Sequence, residues 1–229
     1  MLSKCIGIIS YFPNGPLRDI RKENFNNLIK TLNDYFKLPI IIIAQNWKEE
    51  DFNIKYCSTI KIYRWNGALG ITGARIALRE KLLKENYDYS IWIDDDINIK
   101  CNAQSVNAYL REIDKHPDMF GQVKKLQLFA ISYKMLKLMD FDFIRKYESY
   151  RGEIWEDVAY YKTYTKLYGN KFYNINIPNL ILDFMPSEKD TSSTWYYKEI
   201  NQNLIQKNTN KIINEWTRNK ANDLYNNVR

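Results

Sequence analysis

Three consecutive aspartates, Asp94, Asp95 and Asp96, directly follow the apolar run of residues 89 to 93. Adjacent carboxylates repel one another, so their position after a buried strand costs stability unless a cation neutralises them. Mg²⁺ and Mn²⁺ prefer oxygen ligands and commonly keep substrate phosphates in their coordination shell. Because strand residues two apart share a face, we predict that Asp94 and Asp96 hold a metal and that Asp95 contacts ligand hydroxyls. An acidic turn that only caps the next segment is the alternative.

A glycine-containing loop lies upstream of the aspartates, in residues 67 to 80. It predicts a helix that begins near Thr72, with Thr72 as its N-terminal cap. Free N–H groups and the positive end of the helix dipole suit an anion. Arg75 in the first turn would add a charge-assisted contact to a phosphate or to one of the aspartates. A loop that only turns the chain is the alternative.

A second acidic pair, Glu156 and Asp157, follows Gly152 and opens a predicted helix. A positioned carboxylate can act as a general base that removes the proton of an attacking hydroxyl. Acids in a first turn are also favoured by the helix dipole alone, which leaves a capping role open. Trp155 beside the pair is predicted to stack on a sugar ring or to fill the core.

The residue types that are scarce exclude several chemistries. His116 is the single histidine, so a Ser-His-Asp or Cys-His hydrolase and a histidine-rich zinc site are not expected. Cys5, Cys57 and Cys101 are odd in number and widely spaced, which indicates neither a disulfide framework nor a zinc cluster. No nucleic-acid-binding motif is present.

The overall composition indicates a folded protein with a basic surface. Its 229 residues carry 34 Lys and Arg against 27 Asp and Glu, a net charge of +7. That balance favours an anionic partner, although a surface that is merely soluble and basic is the plain alternative. No apolar run reaches the ~18 residues of a membrane span, and no secretory signal is evident. We therefore expect a cytoplasmic protein, with peripheral contact to an anionic membrane left open.

The first half of the chain alternates strands with helices, which is typical of an α/β fold with a mostly parallel sheet. Continuous apolar runs suit strands that are buried on both faces. In such sheets ligands bind outside the carboxyl ends of the strands, so residues at those ends are the candidates for binding. The predicted strands are residues 5–9, 38–44, 59–65 and 89–93, and the candidates at their ends include Ser10, Tyr11 and Gln45.

The second half has a different pattern. Residues 126–132, 172–177 and 180–184 are predicted strands, and residues 156–168 a helix. One or two helices are predicted at the C-terminus, with breaks near Asn208 and Asn210. We predict one domain over residues 1–185, with residues 186–229 forming a lid and a helical extension of it.

Together these stretches resemble the GT-A class of glycosyltransferases, the fold of family 2 and its relatives. In that class a strand ends in a DXD motif, here Asp94-Asp95-Asp96, that holds the metal and the nucleotide diphosphate. The loop ending in Gly73-Ala74-Arg75 and the Glu156-Asp157 pair after Gly152 are also similar to elements of that class. The resemblance covers roughly residues 3 to 185.

The resemblance implies a single, Rossmann-like GT-A domain that transfers a sugar from a nucleotide-diphosphate sugar, with UDP as the expected nucleotide. It implies Mn²⁺ or Mg²⁺ at Asp96 and Asp94, and Asp157 as the base of an inverting reaction. Donor binding is assigned to Ser10, Tyr11, Gln45, Thr72, Arg75, Asp94 and Asp95, and acceptor binding to Trp155.

The acceptor is expected to be a bacterial surface glycan or a hydroxylated DNA base of a phage. Many metal-dependent members add a late histidine ligand, which this sequence lacks. The alternatives are that Asp183, Glu188 or Asp190 replaces it, or that the third protein ligand is missing. A metal-dependent nucleotidyltransferase and a non-catalytic module that binds nucleotide or nucleic acid remain the alternatives.

Overall fold

A computed structural model describes residues 2–15, 17–52, 59–118, 120–122, 128–139, 156–169, 172–184 and 201–226. The chain divides into two compact units. The first comprises Met1–Met139 and Tyr173–Ser187, and the second Asp140–Phe172 and Glu188–Arg229. The predicted division at residue 185 stays a prediction.

The predicted α/β class with a mostly parallel central sheet is confirmed. Seven strands form the central sheet in the order β3-β2-β1-β4-β7-β6-β8, and β5 and β9 form a separate two-stranded sheet. Strands β1 to β4 are parallel, whereas β7 pairs antiparallel with both β4 and β6. The strands are β1 Lys4–Tyr11, β2 Ile40–Gln45, β3 Ile60–Trp65, β4 Tyr89–Asp94, β5 Ile97–Lys100, β6 Phe120–Gln122, β7 Leu128–Ser132, β8 Phe172–Asn174 and β9 Ile181–Phe184.

Six α-helices are described. Helix α2 packs against β1 and β2. Gly7 of β1 allows this close approach, because a Cβ atom there would lie 3.1 Å from Cδ2 of Leu78. The helices are α1 Leu17–Thr31, α2 Gly70–Glu85, α3 Ala103–Asp114, α4 Tyr133–Leu138, α5 Glu156–Tyr168 and α6 Gln202–Asn226, and a π-helical turn, Leu32–Phe36, continues α1.

The prediction that Thr72 caps helix α2 is wrong. The helix begins two residues earlier, at Gly70, and Leu69 occupies the N-cap position without a side-chain hydrogen bond. Gly70 has a positive φ of 73°, which suits the turn into the helix. Thr72 therefore lies inside the first turn, and its side chain is buried.

Of the one or two helices predicted at the C-terminus, the described residues contain one. Helix α6 runs without interruption through Asn208 and Asn210. Asparagine has a weak helix propensity, but Ile205, Ile212 and Trp216 bury one face of the helix. Packing of this face outweighs the propensity of the two exposed or half-buried amides.

The second unit is held together by an aromatic contact between α5 and α6. The ring of Trp216 is fully buried and lies edge-on to Tyr160 and Tyr164, with centroids 5.3 and 5.5 Å apart. Aromatic pairs of this geometry add stability beyond the area that they bury.

The parallel register of the central strands brings their carboxyl ends to one edge. Ile9 of β1 is paired with Asp94 of β4, and Tyr11 is paired with Gln45 of β2. The predicted ligand-binding residues of these three strands therefore lie at the same edge of the sheet.

Candidate functional site

The acidic turn, Asp94 to Asp96, lies between β4 and β5 at this edge. Asp94 is the last residue of β4, and its Oδ1 lies 3.5 Å from Nη2 of Arg75. Asp95 points toward β1, where its Oδ2 accepts a hydrogen bond of 3.1 Å from the backbone N–H of Tyr11. The acidic turn thus joins the end of β1 to helix α2.

The electrostatics of the acidic turn are unfavourable to full ionisation. Burial and the neighbouring Asp96 raise the pKa of Asp95 to about 6, although Arg21, Ser10 and Tyr11 act to lower it. Burial also raises the pKa of Asp96, against the lowering effect of Arg21 and Arg75. Two neighbouring carboxylates that are partly buried resist ionisation unless positive charge approaches them.

Arg75 reaches the acidic turn from the beginning of helix α2. Its side chain is only 5% exposed, and its guanidinium carbon lies 6.0 Å from the centre of the Trp92 ring. Of the two partners predicted from the sequence, the structure shows the aspartate. Because Arg75 sits beside Asp94, it also contributes positive potential where an anionic ligand would approach.

The ends of β1 and β2 supply the other predicted donor-binding residues. Ser10 is buried, whereas the Tyr11 side chain is 37% exposed and accessible to a ligand ring. Gln45 is buried, and its Oε1 accepts a hydrogen bond of 2.8 Å from the backbone N–H of Leu69. Gln45 thereby fixes the loop that leads into helix α2, so its role in this structure is to position that loop.

An ion pair that sequence reasoning missed holds the ends of β1 and β2 together. The buried side chain of Arg18 pairs with Asp51 and donates hydrogen bonds to the carbonyls of Phe12, Pro13 and Asn46, at 3.2, 3.3 and 3.1 Å. Asp51 also lies 3.1 Å from Nζ of Lys22. No local signal could have found this network, since Arg18 lies in an ordinary first helical turn.

Arg21 is the second residue that sequence reasoning missed. It extends from helix α1 to within 3.9 Å of Asp95 Oδ1, and its side chain is 37% exposed. A partly exposed guanidinium above a carboxylate can contact both the carboxylate and an incoming anion. The acidic turn is therefore flanked by one arginine from α1 and one from α2.

The metal site predicted at the acidic turn stays a prediction. Among the described residues, no three His, Cys, Asp or Glu side chains form a group that could hold a metal. Asp183 pairs with Lys100 at 2.6 Å, and Glu188 and Asp190 lie outside the described residues. Strand β4 ends at Asp94, so the strand alternation that placed Asp94 and Asp96 on one face does not extend to Asp96. Mg²⁺ commonly binds through one or two carboxylates and substrate phosphates, so Asp94 and Asp96 would not require a third protein ligand.

The remaining predicted residues belong to the second unit. Glu156 and Asp157 are the first two residues of α5, as the sequence predicted for the start of a helix. Trp155 lies outside the described residues. The roles assigned to these three residues stay predictions.

Comparison with known proteins shows similarity at the level of structure. No protein-family model matches the sequence, and no curated protein matches it significantly. A structure named as a nucleotide-diphospho-sugar transferase from Desulfovibrio desulfuricans G20 matches with a TM-score of 0.50 and 13% identity, over 90% of this chain and 98% of that one. S. aureus TarS matches with a TM-score of 0.56 and 11% identity, over 94% of this chain and 43% of that one.

The glycosyltransferase GlyE of Streptococcus pneumoniae TIGR4 matches with a TM-score of 0.54 and 12% identity, over 96% of this chain and 64% of that one. The chain has a GT-A-like fold. It spans less than half of TarS and about two thirds of GlyE, so these proteins contain further segments. No described helix combines the length and apolar character that a membrane span requires.

Two further matches concern ligands and chemistry. TarS residues 1–349 in complex with UDP match with a TM-score of 0.55. A glucose-1-phosphate thymidylyltransferase from Bacillus anthracis matches with a TM-score of 0.53 and 11% identity, over 80% of this chain and 89% of that one. The same fold thus occurs in proteins named for sugar transfer and for nucleotidyl transfer.

Proposed function

We propose that this protein is a metal-dependent glycosyltransferase that moves a sugar from a UDP-sugar to an acceptor hydroxyl. The observation that carries the proposal is the acidic turn. It joins the end of β1 to Arg75 on a fold found in nucleotide-sugar transferases. The acceptor is a bacterial surface glycan or a hydroxylated DNA base.

The carboxyl ends of β1 and β2 form the nucleoside side of this proposed site. The exposed ring of Tyr11 offers a face for the base, and its backbone N–H orients Asp95. Asp95, with a pKa of about 6, accepts hydrogen bonds from ribose or sugar hydroxyls when it is ionised. UDP is the chosen nucleotide because TarS residues 1–349 bind it on a similar fold.

The diphosphate lies in this proposal between the acidic turn and helix α2. Asp96 and Asp94 would hold Mg²⁺ or Mn²⁺, which supplies positive charge that stabilises the leaving diphosphate. Arg75 and Arg21 add fixed positive charge on either side of the acidic turn. Fixed charges of this kind favour the leaving group without reorganisation during the reaction.

The base of the proposed reaction is Asp157, with Glu156 as its neighbour. This assignment rests on the sequence argument that an acceptor hydroxyl must lose its proton as it attacks. An inverting outcome follows if Asp157 acts from the face opposite the leaving diphosphate. Asp157→Asn is then expected to abolish transfer and to leave donor affinity unchanged.

Donor binding with and without metal tests the proposal most directly. Melting temperatures are measured with UDP, GDP, dTDP and their sugars, each with Mn²⁺ or with a chelator. We expect a UDP-sugar to raise the melting temperature when Mn²⁺ is present, because a ligand that binds only the folded state stabilises it. No response to any nucleotide at millimolar concentration would contradict the assignment.

A pair of matched variants isolates the acidic turn. Asp96→Asn is expected to remove the metal-dependent response, whereas Asp34→Asn, on an exposed turn after α1, is expected to retain it. Both variants lose one carboxylate, so a difference between them belongs to the position and not to net charge. An equal metal-dependent rise in melting temperature in the two variants would contradict the metal assignment.

Metal-dependent nucleotidyl transfer is the second candidate, and the match to the thymidylyltransferase favours it. The two reactions release different products from a phosphate-bearing donor. Free nucleoside diphosphate indicates sugar transfer, whereas pyrophosphate indicates nucleotidyl transfer. Chromatography of the nucleotides after incubation with donor and sugar phosphate separates the two candidates.

A further inference from the structure

Five exposed cationic side chains lie in two rows on helices α5 and α6. Lys162 and Lys166 are four residues apart on α5. Lys207, Lys211 and Arg218 follow one another along α6. Helical residues separated by four or seven positions share a face, so the cations of each helix form one row. We call these five residues the basic stripe.

A direct contact joins the two rows. Lys166 Nζ donates a hydrogen bond of 3.3 Å to Oδ1 of Asn214 on α6. Asn214 follows Lys211 by three residues and precedes Arg218 by four, so all three occupy one surface of that helix. The basic stripe is therefore one continuous surface of the second unit.

The charge of the basic stripe is not neutralised by the described part of the second unit. None of its five residues forms an ion pair with a described residue. Glu215, which is half-buried, is the single acidic residue among the described side chains of α5 and α6. Like charges one turn apart destabilise a helix. A cationic surface of this kind attracts polyanions.

We propose that the basic stripe docks the phosphate backbone of duplex DNA. Packed helices lie about 8–10 Å apart, and the grooves of B-DNA are about 6 and 12 Å wide. Two adjacent rows of long cationic side chains can therefore reach phosphates on both strands across one groove. Exposed amides of α6 lie among the cations, and amides commonly donate to phosphate and sugar oxygens; they are Gln206, Asn210 and Asn214.

The same helices are poorly suited to a lipid surface. A helix that lies in a membrane interface needs an exposed apolar face opposite its charges. The apolar face of α6 is instead buried, with Ile205, Ile212 and Trp216 each at most 1% exposed. Leu204, at 44%, is the single large apolar side chain of the described part of α6 that is exposed.

The DNA-docking proposal does not depend on the proposed sugar transfer. Fluorescence anisotropy with a labelled duplex of about 20 base pairs tests it. Binding of the full chain is measured between about 50 and 200 mM salt, where phosphate contacts give a slope of about −0.9 each. The stripe variant carries Lys207→Gln, Lys211→Gln and Arg218→Gln. The control carries Lys30→Gln, Lys37→Gln and Lys84→Gln, three exposed lysines of the first unit.

We expect the stripe variant to lower the magnitude of the salt slope by about 2.7, because three contacts of about 0.9 each are lost. The control is expected to keep the slope of the wild type. A second variant, Lys162→Gln with Lys166→Gln, should lower it by about 1.8 for the same reason. Circular dichroism of each variant shows whether it is folded, and the second variant tests α5 independently of α6.

Three results would overturn the proposal. The first is no DNA binding by the wild type at the lowest salt. The second is equal weakening by the stripe variant and its control, which would indicate diffuse charge without a docking surface. The third is a wild type that binds phosphatidylglycerol vesicles but not DNA, together with a stripe variant that has lost vesicle binding. That result would assign the stripe to a lipid surface.

Discussion

Replacement of Asp51 by alanine tests the network that holds the ends of β1 and β2. Asp51 is 2% exposed, and it pairs with Arg18, whose side chain is 9% exposed. Breaking a buried pair by removal of one partner costs about 3–5 kcal/mol, because the other charge stays buried. Arg18 keeps three carbonyl acceptors, at 3.1 to 3.3 Å, so we expect the lower end, about 3 kcal/mol.

Urea denaturation measures this loss. With a slope of about 3 kcal/mol/M for a chain of this size, a loss of about 3 kcal/mol lowers the midpoint by about 1 M. Glu50→Ala is the matched control, since Glu50 and Asp51 both lie in the short 3-10 helix Glu49–Phe52 and the Glu50 side chain is 66% exposed. An exposed ion pair contributes about 0–1 kcal/mol, so the control should change the midpoint little.

The pH dependence of the same variant gives an independent check. Burial acts to raise the pKa of Asp51, but hydrogen bonds from Lys48, Lys22 and Arg18 hold it below the ordinary value of 3.8. The ion pair therefore stabilises the fold above pH 3.8 and loses its effect as pH falls through the lowered pKa of the folded state. The stability difference between wild type and Asp51→Ala should narrow in strong acid. Equal stability of Asp51→Ala and Glu50→Ala at neutral pH would refute the network.

Three further predictions concern the acidic turn and the packing of each unit. Asp95→Asn should stabilise the metal-free protein at pH 7. The gain in stability should shrink as pH falls below about 6, because protonation of Asp95 in the wild type then removes the same unfavourable charge. Thermal denaturation with a chelator at a series of pH values measures this difference in stability. Gly7→Ala should lower the free energy of unfolding, measured by urea denaturation, by about 1–3 kcal/mol, because the new Cβ would lie 3.1 Å from Leu78. Gly169→Ala is the control: no atom lies within 4 Å of its Cβ, so it should change the free energy of unfolding by less than about 1 kcal/mol. Trp216→Ala should cost about 3–5 kcal/mol, since its ring is fully buried; a loss no larger than that of exposed Leu204→Ala would contradict the packing of α5 against α6.

The sequence was sufficient to predict the central sheet because its strands are locally distinctive. Residues 40 to 44 are buried without exception, and a run that is apolar on both faces has few other uses. The shorter strands β5 and β6 were not predicted. Strands of four and three residues, Ile97–Lys100 and Phe120–Gln122, carry too little pattern to distinguish them from loops. Their pairing with β9 and β7 defines them.

Some residues of the candidate site could be predicted from the sequence and others could not. Asp94 to Asp96, Ser10, Tyr11 and Arg75 could be proposed from sequence, since strand ends of a parallel sheet meet at one edge. Arg18 and Asp51 could not, because their pairing joins residues 33 positions apart and each resembles an ordinary surface charge in its own segment. Arg21 was missed for the same reason, as its relation to Asp95 depends on how helix α1 lies across the sheet.

Ionisation of the acidic turn is unfavourable in the folded protein, and packing in the core of the first unit holds the turn in place despite this cost. Asp95 is partly buried beside Asp96, and its pKa of about 6 shows that its ionised form is disfavoured in the folded protein. The pairing of β1 with β4 nevertheless fixes the turn against Ser10 and Tyr11, because both strands are buried in the sheet. A divalent cation with a diphosphate would relieve this repulsion, so metal and donor should each bind more tightly in the presence of the other. If the donor instead binds equally well with and without metal, Arg21 and Arg75 alone provide the compensating charge.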